Sequence, residues 1–176
     1  MESGSESLEI LSKEHENILK VVNALEFEIK QLNTKDIDII FFKKVIDFIR
    51  NYADKFHHEK EEDILFKEFN KCAEEGGAHC NPVEQMLFEH EEGRKSINLM
   101  ESGINEKNKS KLIEESESYI ILIREHIFKE DNILYPMADD LLIDSVKNKM
   151  LKKFKETENK NKKNITSYLD FVKSLE

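Results

Sequence analysis

Residues 56 to 66 read FHHEKEEDILF and residues 125 to 135 read EHIFKEDNILY. Each segment sets a histidine four residues ahead of a glutamate, His57 with Glu61 and His126 with Glu130. Side chains four apart share one face of an α-helix, so each pair can aim an imidazole and a carboxylate at one point. Imidazole suits iron, zinc and copper, and a carboxylate has two oxygens with which to bridge two cations. Two more histidines, His15 and His90, lie in similar segments, KEHENILKVVNALE and FEHEEGRKSINLME. His15 matches His90 at an offset of 75, and His57 and Glu61 match His126 and Glu130 at an offset of 69. Two helical hairpins would therefore each bring one His and one His-x-x-x-Glu pair to the middle of a bundle. That set suits a dinuclear site with two bridging Glu, two His per metal and positions left open for small molecules.

Helices must position these residues. The first apolar stripe runs Leu8, Leu11, His15, Ile18, Val22, Leu25, Ile29 in steps of three and four, and predicts a helix to about Gln31. After NTKD, whose polar side chains can cap, a second stripe passes through Ile46, Ile49, Ala53, His57, Glu61 and Ile64, for a helix from about Ile37 to Glu74. EEGGAHCNP interrupts it, with Asn81 as N-cap and Pro82 at the first helical position. A third stripe follows through Val83, Met86, His90, Gly93, Ile97, Met100 and Ile104. The fourth takes Leu112, Ser116, Tyr119, Ile123, His126, Glu130, Ile133 and Met137. Short connections between long helices predict an all-α, antiparallel up-down four-helix bundle over residues 1–140. Residues 141–176 are expected to add one or two helices packed on it.

Six polar residues thus occupy the apolar phase of four helices. One buried histidine is ordinarily a satisfied core residue. Two buried carboxylates among four imidazoles are different, because an unpaired buried carboxylate costs several kcal/mol in practice. A cation relieves that cost. Around this set, His58 and Glu62 lie one step, about 100°, round the helix from His57 and Glu61, which favours flanking or supporting roles over ligation; the alternative is a rotated second helix in which His58, alone or with Glu62, joins the ligands. Tyr119, two turns before His126, is placed to hydrogen-bond a bound ligand or to serve as a core tyrosine. His79, beside Cys80 in the interhelical loop, reads as exposed.

Composition removes other classes. The chain has 176 residues, 36% of them charged, with Gly at 5 and Pro at 2, which suits a few long helices. Net charge is −10, and residues 141–176 hold nine Lys against five acids, leaving 18 basic against 32 acidic residues upstream. Nucleic acid is not an expected partner for so acidic a surface, and the Lys-rich end reads as a solvated helix. No apolar stretch approaches membrane-spanning length, so no membrane contact is expected. Two cysteines and no signal-like start point to a reducing, cytoplasmic setting.

The combination of KEHE around His15, HHEKEEDILF, EHEEGR around His90 and REHIFKEDNILYPMAD resembles the hemerythrin-like (HHE cation-binding) domain family over about residues 8–140. The resemblance implies two iron ions in a non-haem, oxo- or hydroxo-bridged centre, with His15, His57, Glu61, His90, His126 and Glu130 as ligands. It implies binding of dioxygen or a related small molecule, such as nitric oxide or peroxide, for oxygen or iron sensing, storage or detoxification. The alternative is an oxidoreductase that reduces oxygen or peroxide with a separate electron donor. Oxygen-carrying hemerythrins supply two His four apart from the third helix and end the last motif in Asp. Here Met86 and Arg94 flank His90 at that spacing and Glu130 replaces the Asp, a pattern closer to the bacterial proteins and to the iron-sensing domain of a eukaryotic F-box protein. Ferritins use Glu-x-x-His instead, an order absent from these motifs.

Overall fold

The computed structural model describes residues 5–76 and 80–176, which places His79 outside the described residues. The helix α1 (Glu6–Gln31) buries its stripe from Leu8 to Ile29, His15 included. The next rod begins as α2 (Ile39–Phe48), where the Asp38 carboxylate accepts from the backbone N–H groups of Ile40 and Phe41. It continues without a break through wider, π-helical turns at Ile49–His58 and Glu61–Leu65 into α3 (Phe66–Glu74). Gly76, with φ of 81°, ends that rod in the left-handed conformation glycine tolerates.

After the loop, Pro82 takes the N-cap position of α4 (Val83–Asn105), one place earlier than expected, and Asn81 accepts from the Val83 N–H. At its far end a Cβ on Gly103 would stand 3.0 Å from the Leu112 backbone nitrogen, so only glycine lets α4 meet the next helix so closely. That helix, α5 (Lys109–Lys129), passes through a π turn at Glu130–Leu134 into α6 (Tyr135–Leu141). The extra residue of the π turn corrects the expected fourth stripe: Ile133 is exposed and Leu134 is buried in its place.

Neighbouring rods run antiparallel. Arg50 reaches Glu101 while Arg94 reaches Asp54, and Arg124 reaches Glu26 while Ser12 reaches Asp131. Beyond the four rods, a single helix α7 (Asp144–Lys173) lies parallel to α1, joined by Lys155–Glu6 at one end and Lys20–Glu176 at the other. Its Met150, Phe154 and Val172 are buried although most of its lysines face water. Among the described residues there is no strand, and no helix is long and apolar enough to cross a membrane. The chain is an all-α bundle of four rods with one additional C-terminal helix. One apolar cluster, including Leu25, Phe48 and Met100, fills one end of the bundle; another, including Leu11, Phe69 and Met86, fills the other. Between them lies a polar layer.

Candidate metal centre

The polar layer is held from outside by carboxylates. His15 Nδ1 lies 3.0 Å from Asp131, His57 Nδ1 2.8 Å from Glu14, His90 Nδ1 2.7 Å from Glu62, and His126 Nδ1 2.9 Å from Glu89. Each partner comes from a different rod than its histidine. With Nδ1–H donating to a carboxylate oxygen, each ring keeps its Nε2 lone pair for the interior and gains basicity there. Two of these carboxylates are themselves neutralised by lysines, Glu14 by Lys60 and Glu89 by Lys129. Arg94 does the same for Glu62 at 2.7 Å.

Inside, Glu61 and Glu130 are each 0% exposed. His15 Nε2 and His126 Nε2 stand 3.2 Å from the two Glu130 oxygens, and Glu61 Oε2 lies 3.7 Å from His57 Nε2 and 3.5 Å from His90 Nε2. Donor atoms fall into two overlapping groups, His15, His57, Glu61 and Glu130 in one, His58, Glu61, His90 and His126 in the other. Glu61 belongs to both, and Glu130 touches a histidine of each. The six residues expected from the repeat are therefore brought together.

His58 departs from expectation. It is buried, not on a flank, and its ring stacks on His90 with centroids 3.8 Å apart. The reason is the backbone: His57 and His58 close a π-helical stretch and Glu61 opens the next. A π turn takes more residues per turn than an α turn, so successive side chains diverge less and two adjacent histidines face the same interior. His58 supplies a third imidazole to one half of the centre. Glu62, by contrast, bonds His90 from the periphery as a supporting residue would.

Do these residues fit a cation? Among the described residues His57 Nε2, Glu61 Oε2 and both Glu130 oxygens are buried without a hydrogen-bond partner. Orphaned acceptors of that kind are costly in an apolar interior, and all of them are metal-ligating atoms facing one centre. Without a cation, protons must occupy the same positions. Burial, followed by the neighbouring Glu130 charge, holds the Glu61 carboxyl well above its ordinary range. Burial also disfavours the Glu130 anion, but His126 and His15 outweigh it and keep that carboxyl ionised. Against burial, Asp131 and Glu130 raise His15 to about 9, and Glu130 with Glu89 raises His126 to about 10. Burial keeps His57, His58 and His90 neutral, with His58 down at about 3. The donor set fits a pair of cations.

The surroundings of the two groups differ. Over His15 lies Tyr135, its ring 5.6 Å away and stacked, its hydroxyl donating to Glu61 Oε1 at 2.5 Å. Over His58, His90 and His126 lies a cavity of about 380 Å3 between the second rod, α4 and α5. Tyr119 lines it, buried, and among the described residues its hydroxyl has no hydrogen-bond partner. Sequence reasoning missed Tyr135, Glu14, Glu89, Asp131, Lys60 and Lys129. A signal was present for five of them, since Glu14 matches Glu89 at an offset of 75, and Lys60 and Glu62 match Lys129 and Asp131 at an offset of 69.

A helical bundle with buried His and Glu side chains converging from four rods is a metal-binding architecture. The family model for the hemerythrin HHE cation-binding domain matches residues 6–138, and the chain belongs to that family. Neither among curated proteins nor among solved structures does any match the chain.

Proposed function

We propose that this protein holds two iron ions and uses them to bind dioxygen or a related small molecule, in oxygen or iron sensing, storage or detoxification. The observation that supports this best is the inward convergence of five imidazoles on two carboxylates whose oxygens are buried and largely unpartnered. His15 and His57 would serve one ion, His58, His90 and His126 the other, with Glu61 and Glu130 between them. Iron bound there supplies an exchangeable coordination position and the electrons to reduce a small ligand.

The chain's own groups divide the remaining work. Asp131, Glu14, Glu62 and Glu89 fix the ring orientations and keep the Nδ1 protons in place. Tyr135 holds a hydrogen bond to Glu61 and closes the His15 side. Apolar walls at both ends exclude bulk water. The cavity over His58 and His90 gives a ligand its way in.

The test is an iron count on the purified chain followed by mixing the reduced, anaerobic sample with oxygen in a stopped-flow spectrometer. About two irons and an absorption change that reverses when oxygen is removed are the expected outcome. A count near zero, or tight zinc in place of iron, would overturn the reading. Steady oxygen consumption with added reductant would move it to the oxidoreductase.

A further inference from the structure

A diatomic ligand needs little more room than a water molecule, whose share of liquid volume is about 30 Å3. The cavity above the three-histidine group measures about 380 Å3, inside the range of roughly 300 to 1,000 Å3 typical of sites for small organic molecules. Ile49, Ile97, Leu122 and Ile123 line it together with His58, His90 and His126, and the more exposed Arg50, Asp54, Lys55, Arg94 and Asn98 border it as well. Tyr119 lines the cavity too, and its buried hydroxyl, like His58 Nδ1, has no hydrogen-bond partner among the described residues. A buried hydroxyl left unpaired costs roughly 1 to 3 kcal/mol, so a ligand oxygen brought to Tyr119 would be stabilised there.

Gly93 lies in the same wall. A Cβ there would meet Tyr119 Cε2 at 3.6 Å and Leu122 Cδ2 at 3.8 Å, ordinary contact distances. Helix packing does not require glycine at this position, in contrast to Gly103. What the absent side chain leaves is space inside the cavity. Over the opposite half of the centre, Tyr135 stacks on His15 and α7 packs against α1.

We propose that this cavity binds a small organic molecule with an apolar body ending in one oxygen function, an alkyl hydroperoxide or its alcohol, with Tyr119 as its hydrogen-bond partner and the oxygen end toward His58, His90 and His126. The inference rests on the reading of the centre as a di-iron site and names the class of molecule that reaches it. Tyr119 is the positioning residue for that molecule.

Isothermal calorimetry on the iron-loaded chain tests this, with 2-phenylpropan-2-ol as a non-oxidising probe, isopropylbenzene as the control lacking oxygen, and iron counted in the same samples. The expected result is saturable binding of the alcohol at one site, weaker binding of the hydrocarbon, and loss of about five- to tenfold in affinity in Tyr119→Phe, the value of one buried hydrogen bond. Gly93→Leu should abolish binding by filling the cavity. If that variant does not fold, Leu122→Trp plugs the same space from α5. No saturable binding at full iron content, or binding indifferent to both plugs, overturns the inference. Binding by a chain that holds no iron would preserve the cavity assignment and overturn the di-iron reading.

Discussion

Lys60 and Lys129 occupy matching places in the two hairpins, and each neutralises the carboxylate that holds a histidine ring, yet the Lys60 side chain is 0% exposed and that of Lys129 31%. The ammonium of Lys60 lies 3.9 Å above the Phe56 ring and 5.5 Å from that of Phe154, which α7 contributes. No helix lies over Lys129 in that way among the described residues. The same repeat differs at the centre itself: His58 matches Ile127, and Phe66 matches Tyr135, at the offset of 69. Phe66 and Tyr135 stack on His90 and His15 in equivalent fashion, but only Tyr135 carries a hydroxyl to Glu61. Shared residues build a nearly symmetric donor set. The unshared ones make its two ends chemically distinct, one with three imidazoles and an open cavity, the other with two imidazoles, a phenol and a helical cover.

The largest expected effect strikes both ends at once. Glu61→Ala or Glu130→Ala should reduce bound metal from about two per chain to one or none by elemental analysis; full retention would break the assignment of shared carboxylates. Next, Lys60→Met should lower the stability of the metal-free chain by about 3 to 5 kcal/mol, since it strands Glu14 in the interior. Lys129→Met should cost less, because the lysine end of that pair reaches water and Gln85 still donates to Glu89. Equal shifts in chemical denaturation would show that α7 does not distinguish the halves.

His58→Ala sharpens the comparison further. A flanking position on an α-helix would leave the iron content largely unchanged, whereas the π turns predict loss of one metal on dialysis and retention of the other. Removing a supporting residue of a metal site weakens affinity about 10- to 100-fold, and removing a donor should cost no less. The smallest effect is a pH dependence. Burial raises Glu62, but hydrogen bonds from His90 and Arg94 outweigh it and hold the carboxyl at about 2, below its ordinary 4.5. A depressed folded-state value means stability that is present above pH 4.5 and lost as pH falls toward about 2. Melting curves of the metal-free chain between pH 6 and pH 3 should show that loss, reduced in Arg94→Met.

Much of this could be read from residue order. Six donor residues stood on apolar helix phases, and their repetition tied two motifs to one centre. What escaped did so for physical reasons. An α-helical wheel puts His58 off the buried face, and only a π turn, which has no sequence signature here, brings it in. Lys60 looked like any surface lysine because burial of its ammonium depends on Glu14 and Phe154 arriving from α1 and α7 to join Phe56, one turn earlier on the same rod. The Nδ1 partners were visible as repeated acids, but pairing each with a ring on another rod required the packing. Tyr135 sits beyond the last motif glutamate and had no alignment partner with a hydroxyl.

The family match ends at residue 138, and α7 begins at Asp144. A chain shortened to the family boundary would keep every residue of the donor set and lose Phe154 from above Lys60, together with Val172 and the α7 aromatic rings that pack against Phe48. The buried ammonium would then face water on one side, and α1 would lose its outer neighbour. For transplanting this centre into another protein, or for dissecting it in isolation, a piece cut where the motifs stop is therefore expected to melt at a lower temperature than one that keeps the fifth helix.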